Sequence, residues 1–362
     1  MECRMSEAAT TPRRKTNNSH RSAADALPSR LGFGAAPIGN LYTAVDEATA
    51  RAAIDTAWDA GMRYFDTAPH YGLGLSERRL GEALRDRPRS QFAVSTKVGR
   101  LLVPTPHLKD GQDPGGFVVP ADHTRVWDFS RDGVLRSVED SLRRTGLDRL
   151  DVLLLHDPDE HWRQALDEGY PALAELRDQG VVKAIGAGMN QSRMLADFVR
   201  HTDMDVIMLA GRYTLLDQEA LDDLLPLCER RGVSVIAAGV FNSGLLATPR
   251  PSADLRYNYR QAQPEMVRRA TLIADVCERH GTTLPAAALH FPLAHPAVVN
   301  VTVGCRTAQE AHEAAAHLAD PQPAHLWSEL KQTGLLRQDA PVPGGTAPAE
   351  ADSTNHARPE TP

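Results

Sequence analysis

Short, uninterrupted apolar runs alternate with amphipathic stretches through the middle of the chain. The runs fall near residues 32, 64, 92, 150, 182, 205, 233 and 299. Between them, apolar residues recur at three- and four-residue spacing. Ile54, Ala57 and Trp58 share a face over about 46–60. Leu135, Val138 and Leu142 do so in a helix that Ser130 caps and Gly146 closes. Met266, Ala270, Ile273 and Cys277 do so over 264–280. Further helices are predicted over 76–86 with Ser76 as its cap, from Pro171 to Gly180, and over 192–200, 218–231, 284–291, 307–317 and 321–333. Strands covered on both faces read as continuous apolar runs, the pattern of a parallel sheet. Eight alternating strand–helix units predict an α/β fold, the (β/α)8 TIM barrel. A doubly wound sheet would need a Gly-x-Gly-x-x-Gly turn after an early strand. Residues 32–37 (Gly-Phe-Gly-Ala-Ala-Pro) begin that pattern and do not complete it.

The ends of the chain lack any period. Residues 1–27 mix Thr, Asn, Ser, Arg and Ala, and residues 338–362 are rich in Pro and Gly; both are predicted to be disordered tails around one folded unit, 28–337. Residues 99–129, also rich in Pro and Gly, are predicted to be a long loop.

Composition narrows the classes. Of 362 residues, 42% are hydrophobic, ample for a large core, and the net charge is −7. Without a basic excess, nucleic acid is a poor partner. No apolar run is long enough for a bilayer. The basic residues Arg13, Arg14 and Lys15 are not followed by the apolar stretch of a secretory signal. Cys3, Cys228, Cys277 and Cys305 show no metal or disulfide spacing, and Cys228 and Cys277 fall on apolar helical faces. A reducing cytoplasm is the expected compartment.

The chemistry gathers at strand ends, where a barrel of this type places its active site. Residues 64–72 (Tyr-Phe-Asp-Thr-Ala-Pro-His-Tyr-Gly) run from a buried strand into a loop, leaving Asp66 at the strand end and Tyr71 beyond it. Lys97 and His156 close the next two strands. Asp66 and Lys97 can pair, which lowers the cost of burying each. A lysine ammonium beside a phenol lowers the phenol's pKa from its usual value of about 10, giving a tyrosine able to act as acid or base. His156 can orient the same substrate oxygen. A metal-dependent hydrolase would need clustered ligands, whereas His123, His161, His201, His290 and His295 are scattered; no metal is expected.

These segments, with residues 95–97 (Ser-Thr-Lys) and 155–156 (Leu-His), resemble the tetrad segments of the aldo-keto reductases over roughly residues 30–335. The resemblance implies a nicotinamide dinucleotide bound in extended form on a barrel. It also implies Tyr71 as proton donor or acceptor, tuned by Lys97 and Asp66, with His156 orienting the substrate. It further implies Asn190 at the nicotinamide amide and Tyr213 stacked on the nicotinamide ring. Gly239, Ser243, Gly244 and Leu245 fall in the pyrophosphate loop, and Gly304 and Arg306 in the adenosine-phosphate turn. Residues 68–81 and 240–246 are similar to those of the superfamily's sugar 1-dehydrogenases of the D-threo-aldose (L-fucose) type and of its pyridoxal 4-dehydrogenases.

That similarity implies oxidation of a cyclic hemiacetal to a lactone, with an aldose such as L-fucose or D-arabinose as substrate, or pyridoxal giving pyridoxolactone. Trp127, in the 99–129 segment, is the expected substrate contact. A regulatory protein on the same fold, like the channel-associated β subunits, is a further alternative. Glu310 stands where the family's NADP-dependent members carry an arginine for the 2′-phosphate. A carboxylate there repels phosphate and accepts from ribose hydroxyls, so NAD is expected over NADP, with Arg306 able to receive a phosphate.

Overall fold

The computed structural model describes residues 26–344 except 253 and 259. Among the described residues there are twelve strands: β1 (Leu31–Gly34), β2 (Tyr64–Asp66), β3 (Ala93–Val98), β4 (Arg100–Pro104), β5 (His123–Trp127), β6 (Val152–His156), β7 (Ala184–Met189), β8 (Val206–Ala210), β9 (Ser234–Ala238), β10 (Arg256–Tyr257), β11 (Arg260–Gln261) and β12 (Val298–Gly304). Eight of them close into a parallel barrel in the order β1-β12-β9-β8-β7-β6-β3-β2. Helices lie between the barrel strands, as the apolar runs and amphipathic stretches predict.

Two sets of apolar residues follow from the two faces of each strand. The outward set, including Phe65, Val94, Leu153, Leu155, Ile185 and Ile207, packs under the helices in the main core. The inward set, including Tyr64, Ala93, Val152, Leu154, Met208 and Ile236, fills the barrel interior together with Ala26 and Leu27. The same alternation carries Asp66, Lys97 and His156 inward at the upper end, two residues beyond Tyr64, Ser95 and Leu154. Tyr64 donates to Ser95 Oγ at 2.7 Å, and Ser95 donates to Asp66 Oδ1 at 2.6 Å, a buried ladder running up the interior wall.

Several local expectations need correction. The 99–129 segment is not all loop: β4 and β5 pair antiparallel from Arg100 with Trp127 to Pro104 with His123. Ser76 does not cap its helix. That helix runs Leu75–Leu84 from a left-handed Gly74, while Ser76 is buried and donates to Ala35 O at 2.8 Å. The 218–231 stretch splits into a short 3-10 turn, Glu219–Leu221, and a helix, Leu224–Arg231. The helix expected to open at Pro171 begins nine residues earlier, at Trp162, with a π-turn over Ala165–Gly169 ahead of the proline. The π-turn shifts the hydrogen-bond register where the proline ring would clash with an α-helical carbonyl.

The predicted tail boundaries are also too tight. Ala26 and Leu27 seal the interior, and Ala340 is 1% exposed in the main core. Tail residues 1–25, Cys3 among them, and 345–362 lie outside the described residues. Cys228, Cys277 and Cys305 are buried free thiols, each pushed up to about 12 chiefly by burial. Among the described residues, no helix is long and apolar enough to cross a membrane, and no group of three His, Cys, Asp or Glu could hold a metal ion.

Candidate active site

Strand ends and loops bring Asp66, Tyr71, Lys97 and His156 around one cavity of about 420 Å³ at the carboxyl end of the barrel. Asp66 and Lys97 are 3% and 2% exposed. Lys97 Nζ donates to Asp66 Oδ1 at 2.9 Å, to Oδ2 at 2.7 Å and to the Thr67 carbonyl at 3.0 Å. Two buried charges are tolerable only when paired and hydrogen-bonded this fully. Burial alone would pull the Lys97 pKa down. The charges of Asp66 and Tyr71 and hydrogen bonds to both more than offset it, so the net direction is upward and Lys97 stays cationic.

Tyr71 reaches this cation from the loop after β2. Lys97 Nζ lies 4.8 Å from the centre of its ring. The loop is seated by a close approach of two glycines: Gly72 has φ +62°, and a Cβ there would sit 2.2 Å from the Gly39 carbonyl oxygen. His156 packs edge-on to Tyr71, ring centres 5.9 Å apart. Burial, then the charges of Arg100 and Lys97, hold its pKa well below the ordinary imidazole value. A neutral imidazole keeps one N–H for a substrate oxygen.

The cavity has a roof that sequence reasoning missed. The loop joining β4 to β5 zips onto the loop after β1: Val118 N donates to Asn40 O at 2.9 Å, and Tyr42 N to Gly116 O at 3.0 Å. This places Phe117 against Tyr71, ring centres 6.1 Å apart. Phe117, His70 and Asp157 line the cavity although none was singled out. Burial, with the charges of Arg100, Arg125 and Lys97 adding to it, lowers the His70 pKa to about 2. His70 follows Pro69 in the tetrad segment, and Asp157 follows His156. Adjacency to a site residue on a turning loop is the signal that could have found both.

A second cavity, about 540 Å³, shares Ala36, Leu41, Tyr42, Asn190, Gly239, Thr302 and Gly304 with the first and continues it outward. It is built mostly from backbone and small side chains. Gly239, Asn242, Ser243 and Gly244 all have left-handed φ, at 62°, 45°, 61° and 105°. Successive amides in such a loop form an anion-accepting concavity. Arg306 and Glu310 line this cavity and not the first. Thr307 Oγ1 accepts from Glu310 N at 3.2 Å and so caps helix Ala308–Ala319, while Glu310 Oε2 accepts from Arg306 N at 2.6 Å and ties down the turn before it. Two buried polar atoms on this wall, Asn242 Oδ1 and Arg306 Nε, have no hydrogen-bond partner. A floor of Gly and Ala, an amide concavity and unmet polar atoms fit an extended dinucleotide.

Three expected contacts do not reach these cavities. Tyr213 is 1% exposed and packs behind the barrel wall against Phe291 and His295, at 5.1 and 5.9 Å. Leu245 is fully buried in the main core. Trp127 is 40% exposed and lies over Arg100, whose guanidinium carbon is 4.2 Å from its ring centre. Asn190 lines both cavities and donates to Ala210 O at 2.9 Å.

Comparison with known proteins agrees with this geometry. The family model described as "Aldo/keto reductase family" matches residues 30–333. A D-threo-aldose 1-dehydrogenase from a Pseudomonas species is 48% identical over 314 residues, covering 86% of this chain and 95% of that one. A pyridoxal 4-dehydrogenase from Microbacterium luteolum is 38% identical over 325 residues, covering 84% and 94%. Among solved structures, an aldo-keto reductase from Bacillus halodurans in its holo form superposes with a TM-score of 0.66 at 27% identity, covering 84% and 91%.

Proposed function

This chain belongs to the aldo/keto reductase family, and from that premise we propose that it oxidises the cyclic hemiacetal of an aldose to its lactone with a nicotinamide dinucleotide. The observation that carries the reading is the Lys97 ammonium, bound to Asp66 and Tyr71 at once beside a neutral His156. A buried cation next to a phenol favours the phenolate, which can take a proton. The 48% identity to a D-threo-aldose 1-dehydrogenase favours a sugar.

In this reading the anomeric hydroxyl sits between Tyr71 and His156. His156 donates its N–H to that oxygen and fixes its place. Tyr71 removes the hydroxyl proton while the carbon's hydrogen departs as hydride and the C–O bond becomes a carbonyl. The bound dinucleotide supplies the hydride acceptor. Asn190, the 239–244 loop and Arg306 would hold it in the second cavity. Asp66 keeps Lys97 in place, and the roof over Tyr71 limits water. NAD is the proposed partner over NADP, because the Glu310 carboxylate lies on the wall where a 2′-phosphate would be disfavoured.

Steady-state dinucleotide reduction with L-fucose, D-arabinose and pyridoxal, each with NAD and NADP, tests the reading. Aldoses should give the higher kcat/KM. Faster turnover of pyridoxal would replace the sugar reading with that of the relative from Microbacterium luteolum. No turnover of any hemiacetal would overturn both and leave a regulatory role.

A further inference from the structure

The substrate cavity holds a second carboxylate that the tetrad does not use. Asp157 directly follows His156 and lines the same cavity as Asp66, Tyr71 and Lys97. Its backbone is left-handed, φ +41°, a conformation that a side chain other than glycine rarely adopts. Its amide stays on the barrel ladder: Asp157 N donates to Gly188 O at 3.0 Å, immediately above the pairing of His156 with Gly188. Strain of this kind, held by its surroundings, gathers at functional sites.

The two acids in the cavity differ in what their oxygens already hold. Asp66 accepts from Ser95 and twice from Lys97. Asp157 Oδ2 accepts from Arg100 at 2.5 Å and stands 3.6 Å from His156 Nε2. Among the described residues, its Oδ1 accepts no hydrogen bond. Arg100 is itself fixed, 9% exposed under the Trp127 ring. Asp157 is thus a carboxylate at a set position, within reach of the group that His156 would orient, with acceptor capacity to spare. Apart from the tetrad, the rest of the lining is apolar or glycine, Leu41, Phe117, Met189 and Met208 among it, except for Tyr42, His70, Asn190 and Thr302.

We propose that Asp157 is a substrate-orienting residue: its carboxylate accepts a hydrogen bond from a hydroxyl adjacent to the carbon being oxidised, and so selects polyhydroxylated hemiacetals. This rests on the hemiacetal reading of the site. Trp127 then contributes indirectly, by stacking on the arginine that pins the acid.

The test pairs Asp157→Asn with a series of monodeoxy analogues of the best aldose substrate. Asn tolerates left-handed backbone better than other non-glycine residues, so the turn should survive; dinucleotide binding followed by protein fluorescence checks that it does. A hydrogen bond to a charged acceptor corresponds to a loss of about 10- to 100-fold in kcat/KM. The wild type should lose about this much on one member of the deoxy series. Asp157→Asn should lose about as much on the parent sugar, yet handle that one deoxy analogue as the wild type does. If Asp157→Asn lowers kcat/KM equally for the parent and every deoxy analogue, the acid serves only as an anchor for Arg100 and the inference is overturned. A flat deoxy series in the wild type overturns it without any variant. If no aldose is oxidised, the hemiacetal reading falls first; if aldoses are oxidised and the series is flat, only this inference falls.

Discussion

The two cavities at the barrel mouth are built by opposite means. The inner one is made by side chains with charge: a lysine and an aspartate paired below 3 Å, a phenol beside them and a neutral imidazole across from it. The outer one is made by backbone: four left-handed residues in six, and a floor kept low by glycine and alanine. Side-chain chemistry is fixed by residue type and can be read from letters. Backbone-built recognition depends on dihedral angles that several residue types can adopt, so the same letters fit many shapes.

The contrast predicts different responses to substitution. The largest effect belongs to the inner cavity. Tyr71→Phe removes the proton acceptor with its hydrogen bond to Lys97 and keeps the ring, so turnover should fall at least ~10²-fold, while fluorescence titration finds dinucleotide binding nearly unchanged. Near-normal turnover would dissolve the distinction between the two cavities.

In the outer cavity the backbone should be the sensitive part. Gly239 has φ +62°, where a side chain costs about 1–2 kcal/mol. Gly239→Val should weaken dinucleotide binding by about tenfold and leave kcat at saturating dinucleotide little altered. A fall in kcat alone would show that the loop serves the chemistry rather than the binding.

A smaller effect is expected at Glu310. Glu310→Arg should shift the kcat/KM ratio toward NADP by about tenfold, the scale of one charged hydrogen bond. The wild type should prefer NAD. The shift is limited because Glu310 also holds Arg306 N, and because Arg306 already places a cation on that wall. An unchanged ratio would leave Glu310 as an anchor for the Arg306 turn alone.

The smallest effect is predicted for Tyr213. It touches Phe291 and His295 behind the wall, and its hydroxyl is buried without a partner. Tyr213→Phe should therefore alter dinucleotide binding by less than about twofold, since an unpaired buried hydroxyl contributes nothing to a ligand it does not meet. A large loss would put Tyr213 back at the nicotinamide ring.

What was legible in the sequence follows the same division. The eight barrel strands stood out because strands buried on both faces leave continuous apolar runs. The tetrad stood out because Asp, Lys and His at the ends of such runs are expensive to bury without a purpose. The β4–β5 hairpin did not, because it is short, half exposed and spaced by Pro and Gly, and it gains its order by zipping onto residues 40–42 far back in the chain. Tyr213 and Leu245 lie close in sequence to residues that do line the cavity. Only the turn of the backbone at Gly211 and Gly244, at φ 73° and 105°, decides which side chains face it. Asp157 was hidden for a related reason: its reach into the cavity depends on a left-handed turn at an aspartate, which no letter announces.

The central claim is that a hemiacetal's anomeric hydrogen leaves as hydride while Tyr71 takes the hydroxyl proton. The most direct measurement uses L-fucose carrying deuterium at the anomeric carbon, with NAD, followed by mass analysis of both products. The account predicts one deuterium in the reduced dinucleotide and an unlabelled lactone. An unlabelled reduced dinucleotide, or a product in which the anomeric carbon keeps its deuterium, would contradict it.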